Sequence, residues 1–238
     1  MAYESVFTGT GPAHERLPRY VLREGEPVDG WATLEWVQLP GAEPHGPALA
    51  RAWDVASGMG VGRDRTPFVV RAATGIGPDD ARTSGRAPGW WSLDRAAWPL
   101  VGAPSETPCT LTFSTPIRLI RDAQLLDRVQ FPDVIVAACR RMRALAGPTH
   151  ADAWRAIERS LLDDLRDVRP CVWEGHRARM RRWSARQEQE TDLHGLVGAL
   201  TLLRGPGASW PVIAAARWVH LGKGTVFGLG RFDVLPAA

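Results

Sequence analysis

Residues 220–232 of the chain read HLGKGTVFGLGRF, and four glycines fall within nine of these positions. Apolar residues at helical spacing precede this stretch over residues 210–221, and a strand pattern follows it over residues 231–235. The sequence therefore predicts the local order helix, glycine loop, strand. We call residues 222–230 the glycine loop.

That order excludes two familiar glycine motifs. A dinucleotide fingerprint follows a strand and opens a helix, and a P-loop also needs a helix after its Gly-Lys-Thr. Here a strand follows, and Phe227 stands where the third glycine of the fingerprint would fall. An anion at this loop would be held by backbone N–H groups, with added charge from Lys223 and Arg231. The alternative is that the glycines only let the chain turn and pack tightly.

The chain has 238 residues, of which 45% are hydrophobic, and a formal net charge of +3. A chain of this length and hydrophobic content can form one large domain or two small ones. Of the 29 basic residues only Lys223 is a lysine; arginine suits phosphate contact and base stacking, although a GC-rich genome gives the same bias.

Three cysteines, Cys109, Cys139 and Cys171, lie far apart. They predict neither a disulfide framework nor a C-x-x-C metal site. The sequence shows no apolar run of membrane-spanning length and no signal-peptide pattern. We therefore expect a cytoplasmic protein with no metal, no cofactor and no membrane partner.

The second half of the chain predicts a complete ferredoxin-like unit. Periodicity indicates strands at 109–114, 181–188, 193–203 and 231–235, and helices at 131–145, 151–168 and 210–221. If the helix at 151–168 is an insertion, the order is β-α-β-β-α-β, which is the ferredoxin-like (RRM-like) plan of an α+β protein.

The first half of the chain matches only the last four elements of that plan. It predicts strands at 18–23 and 31–39, a helix at 47–57, a glycine-rich turn at 58–63 and a strand at 66–72. The junctions repeat, since Gly-Val-Gly-Arg at 60–63 resembles Gly-Leu-Gly-Arg at 228–231. We therefore predict a partial ferredoxin-like unit at 1–73 that lacks its opening β-α, a linker at 74–107 with room for one edge strand, and a complete unit at 108–238.

A cluster of arginines with interleaved tryptophans is the strongest candidate site outside the glycine loop. Such a charge run is usually a solvated face, but aromatics among arginines beside a sheet are typical of RNA contact through stacking and phosphate binding. The cluster contains Arg177, Arg179, Arg181, Arg182 and Arg186, with Trp173 and Trp183.

The C-terminal half resembles the CRISPR repeat-RNA processing endoribonucleases of the RAMP superfamily. The resemblance rests on TFSTPIRL at 112–119, CRRM at 139–142, WSARQ at 183–187, GLVG at 195–198 and, most specifically, the stretch at 220–231. It covers residues 109–235 well and residues 1–73 loosely. It implies two ferredoxin-like units that bind the CRISPR repeat and cut it without metal, by attack of a ribose 2′-OH on the adjacent phosphate.

The resemblance also implies which residues bind RNA and where an acid or base is expected. Members of the family often place the acid/base histidine on the first helix of the first unit, the part that is not found in this sequence. Either the true start lies upstream, another subunit completes the unit, or the activity has moved or vanished. The remaining candidates are His14, whose alternative is a solvated loop residue, and His220, whose alternative is a residue that fixes the end of a helix. The predicted RNA-binding residues are Arg177, Arg179, Arg181, Arg182, Arg186, Trp183, Gly222, Lys223, Gly224, Gly228, Gly230 and Arg231.

Two functions follow as hypotheses. The first is an endoribonuclease that processes precursor CRISPR RNA within the repeat. The alternative is a non-catalytic RNA-binding RAMP subunit of a CRISPR effector complex, because the opening β-α and a convincing histidine are missing. Both predict CRISPR repeat RNA or crRNA as partner, with other effector subunits as further partners. A nucleotide-binding enzyme is a distant third, because the order of elements around the loop is wrong for it.

Overall fold

The computed structural model describes residues 20–39, 46–71, 74–76, 82–84, 106–165, 170–184 and 188–236. Its strands are β1 Tyr20–Val28, β2 Trp31–Gln38, β3 Thr74–Ile76, β4 Arg82–Ser84, β5 Cys109–Ile117, β6 Ile120–Arg121, β7 Gln124–Leu125, β8 Cys171–Ser184, β9 Gln189–Leu202 and β10 Phe232–Pro236. Its α-helices are α1 Gly46–Met59, α2 Phe131–Ala146, α3 Ala151–Asp164 and α4 Trp210–Val219. None of these helices is long and apolar enough to cross a membrane.

Four antiparallel strands form the sheet of the second unit, in the order β10-β5-β9-β8. Numbered within β5-α2-β8-β9-α4-β10, this is the strand order 4-1-3-2. The ferredoxin-like plan predicted from the element order is therefore confirmed. The helix α3 stands between α2 and β8 in sequence and packs on α2, as an insertion should.

The core of this unit lies between the sheet and its helices. Burial alternates along β5, where Cys109, Leu111 and Phe113 are buried and the residues between them are not. Helix α2 turns Val134, Ile135 and Ala138 into the same core, as its 3.6-residue period predicts. Burying one such Leu, Ile or Phe side chain contributes roughly 1.5–3 kcal/mol.

Local sequence sets both ends of α2. The Gln130 N–H donates to Asp133 Oδ2 at 3.1 Å, so the third helical residue caps the first turn. At the other end Gly147 has φ +81° and its N–H donates to Arg143 O at 3.1 Å. Helix α2 therefore ends at Ala146, one residue beyond the predicted range of 131–145.

The paired strands of the second unit are longer than the sequence pattern predicted. The prediction of strands at 181–188 and 193–203 was wrong in its boundaries, since β8 begins at Cys171 and pairs with β9 from Cys171↔Leu202 to Ser184↔Gln189. Charged residues on both faces of β8 hide the alternation of apolar and polar residues that marks a half-buried strand. Residues 185–187 lie outside the described residues.

The first unit is a β1–β2 hairpin followed by α1. Asp29 and Gly30 have φ values of +50° and +78°, the two positive angles that a type I′ hairpin turn requires. The hairpin is joined to the second unit by a small core, in which Val21 and Leu39 pack with Leu145 and Val219.

The predicted strand at 66–72 is wrong over the described residues. Thr66 makes only an isolated bridge with Val61, and residues 67–71 form no strand. In the second unit the corresponding strand, β10, is paired with β5. The first unit has no counterpart of β5 among its described residues, so its last segment has no backbone partner there and Val69 is 75% exposed. Part of the predicted linker forms a short hairpin, in which β3 pairs with β4.

Candidate nucleic-acid interface

The glycine loop is held by left-handed glycines. Gly222, Gly224, Gly228 and Gly230 have φ between +71° and +83°, a region that side-chain-bearing residues rarely adopt. The Leu221 N–H donates to Gly230 O at 3.0 Å and closes the loop at its base. Between the glycines lies a single 3₁₀ turn, Thr225–Phe227.

Three of these glycines lie so close to backbone carbonyl oxygens that a side chain would not fit. A methyl group on Gly222 would stand 2.6 Å from the Arg118 carbonyl oxygen, and one on Gly228 would stand 2.8 Å from that of Leu22. A methyl on Gly230 would overlap the carbonyl oxygen of Leu221. Turning and tight packing therefore account for the glycines. RNA contact by their backbone stays a prediction, while Lys223 and Phe227 are the exposed side chains of the loop.

The turn at 58–63 repeats this geometry. Gly60 and Gly62 have φ +76° and +77°, matching Gly228 at +78° and Gly230 at +71°. The repeated Gly-x-Gly pattern seen in the sequence therefore has left-handed φ angles at both glycines in both units.

Three of the predicted RNA-binding arginines carry acidic partners. Arg177 pairs with Asp127, Arg179 with Asp192, and Arg181 with Glu190 at 3.5 Å. The hydrogen bond from Arg179 holds the pKa of the Asp192 carboxyl below its usual range. All three arginine side chains are exposed, so these pairs are weak and can exchange for phosphate. Arg186 lies outside the described residues.

Two further contacts bring three separate segments together. The Arg182 guanidinium lies 4.1 Å from the centroid of the Phe227 ring, and that of Arg63 lies 5.1 Å from the Trp183 ring. The end of the β8–β9 hairpin thus meets the glycine loop on one side and the turn of the first unit on the other. We call Arg182, Lys223 and Phe227 the hairpin–loop surface; the Arg63–Trp183 contact lies beside it.

Arg231, the remaining predicted contact, is mostly committed to the fold. Its backbone N–H donates to Thr115 Oγ1 at 2.9 Å, and its guanidinium donates to the Glu24 carbonyl oxygen. No sequence pattern indicated Phe227 or Arg63 as contacts. Only the repeat of the Gly-x-Gly-Arg junction placed Arg63 beside a second glycine turn.

His220 is enclosed rather than presented to a ligand. It is 0% exposed, and its Nδ1 lies 3.2 Å from the carbonyl oxygen of Leu229. In the tautomer that satisfies this contact, Nδ1–H donates, and Nε2 has no partner among the described residues. The geometry fits the alternative role, a residue that fixes the end of α4, and gives a phosphate no access to the ring. His14 lies outside the described residues.

Burial, together with the charges of Arg23, Arg231 and Arg141, lowers the pKa of His220 to about 4, although the hydrogen bond to the Leu229 carbonyl acts in the opposite direction. In the unfolded chain the His220 ring binds a proton near pH 6.5, whereas in the folded chain it does so only near pH 4. The stability that depends on a neutral His220 is therefore complete above pH 6.5 and is lost as the pH falls toward 4. We expect acidification from pH 7.5 to 5 to remove roughly 2 kcal/mol through this group alone. Urea unfolding at both pH values measures the loss. His220→Asn, which does not titrate and tolerates positive φ, should lose less; equal losses in both proteins would contradict the assignment.

A buried ion pair stands behind the glycine loop. Arg23 of β1 bonds Glu35 of β2, with 6% and 8% of their side chains exposed, and the Arg23 guanidinium lies 5.0 Å from the Trp218 ring centroid on α4. Leu22 and Glu24 flank Arg23; the Leu22 carbonyl oxygen lies close to Gly228, and the Glu24 carbonyl oxygen accepts from Arg231, so this pair anchors β1 against the end of the glycine loop.

The cysteines belong to the interior. Burial raises the pKa of Cys139 to about 11 and raises that of Cys109 as well, so neither thiol ionises near neutral pH. Within the described ranges no group of three His, Cys, Asp or Glu side chains is arranged to hold a metal ion.

The family model described as "CRISPR-associated endoribonuclease Cas6" matches residues 111–232, slightly more than half of the chain. The protein belongs to the Cas6 endoribonuclease family. The matched segment contains the β8–β9 hairpin and the glycine loop, and with them every residue of the hairpin–loop surface. The expected family is confirmed.

Solved Cas6 structures share the fold. The product complex of Cas6 (TTHA0078) has 20% identity and a TM-score of 0.53, with 93% of this chain and 83% of that chain covered. Its substrate mimic complex has 21% identity and a TM-score of 0.51, with 91% and 84% covered. The product complex of Cas6 (TTHB231), a Thermus thermophilus protein, has 16% identity and a TM-score of 0.53, with 92% and 82% covered. A search of the curated proteins finds no match.

Proposed function

We propose that this Cas6 family protein processes precursor CRISPR RNA by cutting within the repeat, without a metal ion, through attack of a ribose 2′-OH on the adjacent phosphate. The observation that carries the proposal is that the family match spans both the hairpin and the glycine loop, which meet where Arg182 lies over the Phe227 ring. The solved relative TTHA0078 is described in a product complex and in a substrate mimic complex. We expect this chain to hold repeat RNA in the corresponding way.

The reaction asks little covalent chemistry of the protein. The 2′-oxygen forms a bond to phosphorus while the bond to the 5′-oxygen breaks, which leaves a cyclic phosphate and a 5′-hydroxyl. A base takes the 2′ proton and an acid supplies one to the leaving oxygen. Alignment and positive charge provide the rest of the acceleration. In our proposal Lys223 and Arg182 supply charge from opposite segments, His220 holds the loop, and His14 is the candidate acid or base.

A second candidate function is a non-catalytic RNA-binding subunit of a CRISPR effector complex. It is favoured by the burial of His220, which gives a phosphate no access to that ring. It predicts the same RNA contacts without turnover.

Incubation with repeat RNA in EDTA separates the two functions. Cleavage in EDTA that stops when the ribose at the cut site is 2′-deoxy, with a cyclic phosphate found by mass spectrometry, supports the first. Tight binding without cleavage of any repeat supports the second. Cleavage that requires added Mg²⁺ contradicts the metal-independent mechanism, and absence of both binding and cleavage contradicts both functions.

Lys223→Ala tests the loop as a phosphate contact. Lys223 is exposed and pairs with no carboxylate in the described part of the chain. Its removal should weaken binding of all RNA sequences alike, by roughly fivefold, and lower the slope of log Kd against log salt by about 0.7–1. Filter binding between 50 and 300 mM salt measures both.

Arg159→Ala is the matched control for this substitution. It removes an exposed cation from α3, the inserted helix that packs on α2, and should leave the slope unchanged. An unchanged slope for Lys223→Ala would remove the loop from the RNA contacts.

A further inference from the structure

The ring of Phe227 is held rigidly at the surface. The residue ends the 3₁₀ turn Thr225–Phe227, which lies between Gly224 and Gly228, and its N–H donates to Gly224 O at 2.9 Å. Two left-handed glycines whose own surroundings are crowded fix this turn. The side chain is nevertheless 41% exposed. A single exposed apolar residue is ordinary, so the meaning of this ring depends on what surrounds it.

The Arg182 guanidinium covers one part of the ring. At 4.1 Å from the centroid it lies well within the range of a cation–π contact, which extends to about 6 Å. Arg177, Arg179 and Arg181 each pair with a carboxylate, whereas Arg182 pairs with none among the described residues. Its charge is therefore available at the ring, and the ring retains open area beside it.

The neighbouring pair, Arg63 with Trp183, has a different role. Successive residues of a strand point to opposite faces, so Trp183 cannot share a ligand face with Arg182. The Arg63 contact instead fastens the end of the hairpin to the turn of the first unit. One open aromatic surface thus remains, four residues from the exposed Lys223.

We propose that Phe227, backed by Arg182, is a stacking platform for one unpaired base of the bound RNA. The proposal rests on the RNA-binding function proposed above and adds the contact that holds a base rather than a phosphate. Stacking on an aromatic ring tolerates any base, since each has a π face. Because the Arg182 guanidinium lies over the ring, we expect a single base to stack on the area that stays exposed.

The test uses repeat RNA in which 2-aminopurine replaces one unpaired base at a time. With the native protein, fluorescence should be quenched on binding at one position. Phe227→Leu keeps an apolar side chain without the ring; it should weaken binding about tenfold, abolish the quenching and leave the salt slope unchanged. Phe227→Trp should restore both affinity and quenching. Leu235→Ala, which shortens another exposed apolar residue, on β10, is the control and should behave as the native protein.

Thermal unfolding should show that Phe227→Leu is folded. Native affinity and quenching in Phe227→Leu would overturn the proposal. A loss of RNA affinity in both Phe227 variants, together with a reduced salt slope, would also overturn it, because the ring would then only position the loop. An unstructured 2-aminopurine oligoribonucleotide separates this proposal from the function. If the native protein binds and quenches this oligonucleotide but does not bind repeat RNA, only the repeat-processing function fails. If it binds neither RNA, both proposals fail.

Discussion

Gly230→Ala should lower the free energy of unfolding by roughly 3–4 kcal/mol. About 1 kcal/mol comes from placing alanine at a positive φ angle, and about 2–3 kcal/mol comes from the backbone displacement that the methyl group forces. Gly230 has φ +71°, and a methyl group there would overlap the Leu221 carbonyl oxygen. That oxygen belongs to backbone and cannot turn aside as a side chain can. Relief requires that the Leu221–Gly230 closure of the loop open. Because a domain of this kind is stable by only about 5–15 kcal/mol, the loss is large.

Gly62→Ala is the matched control for this change. Gly62 lies in the repeated turn at φ +77°, but nothing stands within 4 Å of a methyl group there. This variant should therefore lose only the positive-φ cost, about 1 kcal/mol. Urea unfolding of both variants at pH 7.5 isolates the clash as the difference. Equal losses would show that Gly230 is needed only for its φ angle.

Glu35→Ala should cost about 3–5 kcal/mol of stability, because it leaves the buried guanidinium of Arg23 without its carboxylate partner. Arg23 is only 6% exposed, so water cannot readily replace the lost oxygen atoms. The adjoining residues of β1 contact the glycine loop and Arg231, so RNA affinity should fall together with stability. Denaturant unfolding and filter binding measure the two effects.

Two companion variants define the cause of that loss. Arg23→Met combined with Glu35→Leu removes both charges and keeps apolar volume, so it should recover most of the stability. Glu190→Ala removes the partner of Arg181 from an exposed pair and should cost no more than about 0.5 kcal/mol. If the double variant is as unstable as Glu35→Ala, the loss comes from packing around Arg23 and Trp218, not from an unpaired charge.

Periodic segments of the sequence were sufficient to predict the second unit. The apolar positions of 131–145 recur every three to four residues and those of 109–114 every two, and both sets are buried. Such patterns record which face of an element meets the core. The order of these elements then left the ferredoxin-like plan as the natural arrangement.

The predictions for β8 and for the segment at 66–72 failed because strand formation depends on residues outside these segments. The first half of β8 carries charged residues on both faces, and only its continuous pairing with β9 makes it a strand. The segment at 67–71 has a strand-like composition but pairs with no strand among the described residues. Strand formation depends on a hydrogen-bonding neighbour, which a local pattern cannot supply.

For the candidate site, the sequence by itself determined the type and order of the groups: arginines along a strand, one lysine, and a glycine loop between a helix and a strand. Only the tertiary structure decided which of these groups are paired, stacked or buried. It gave Arg177, Arg179 and Arg181 acidic partners, set Arg182 on Phe227, and enclosed His220. Charge pairing, stacking and desolvation act between residues that are distant in sequence and close in space, so no spacing along the chain could have specified them.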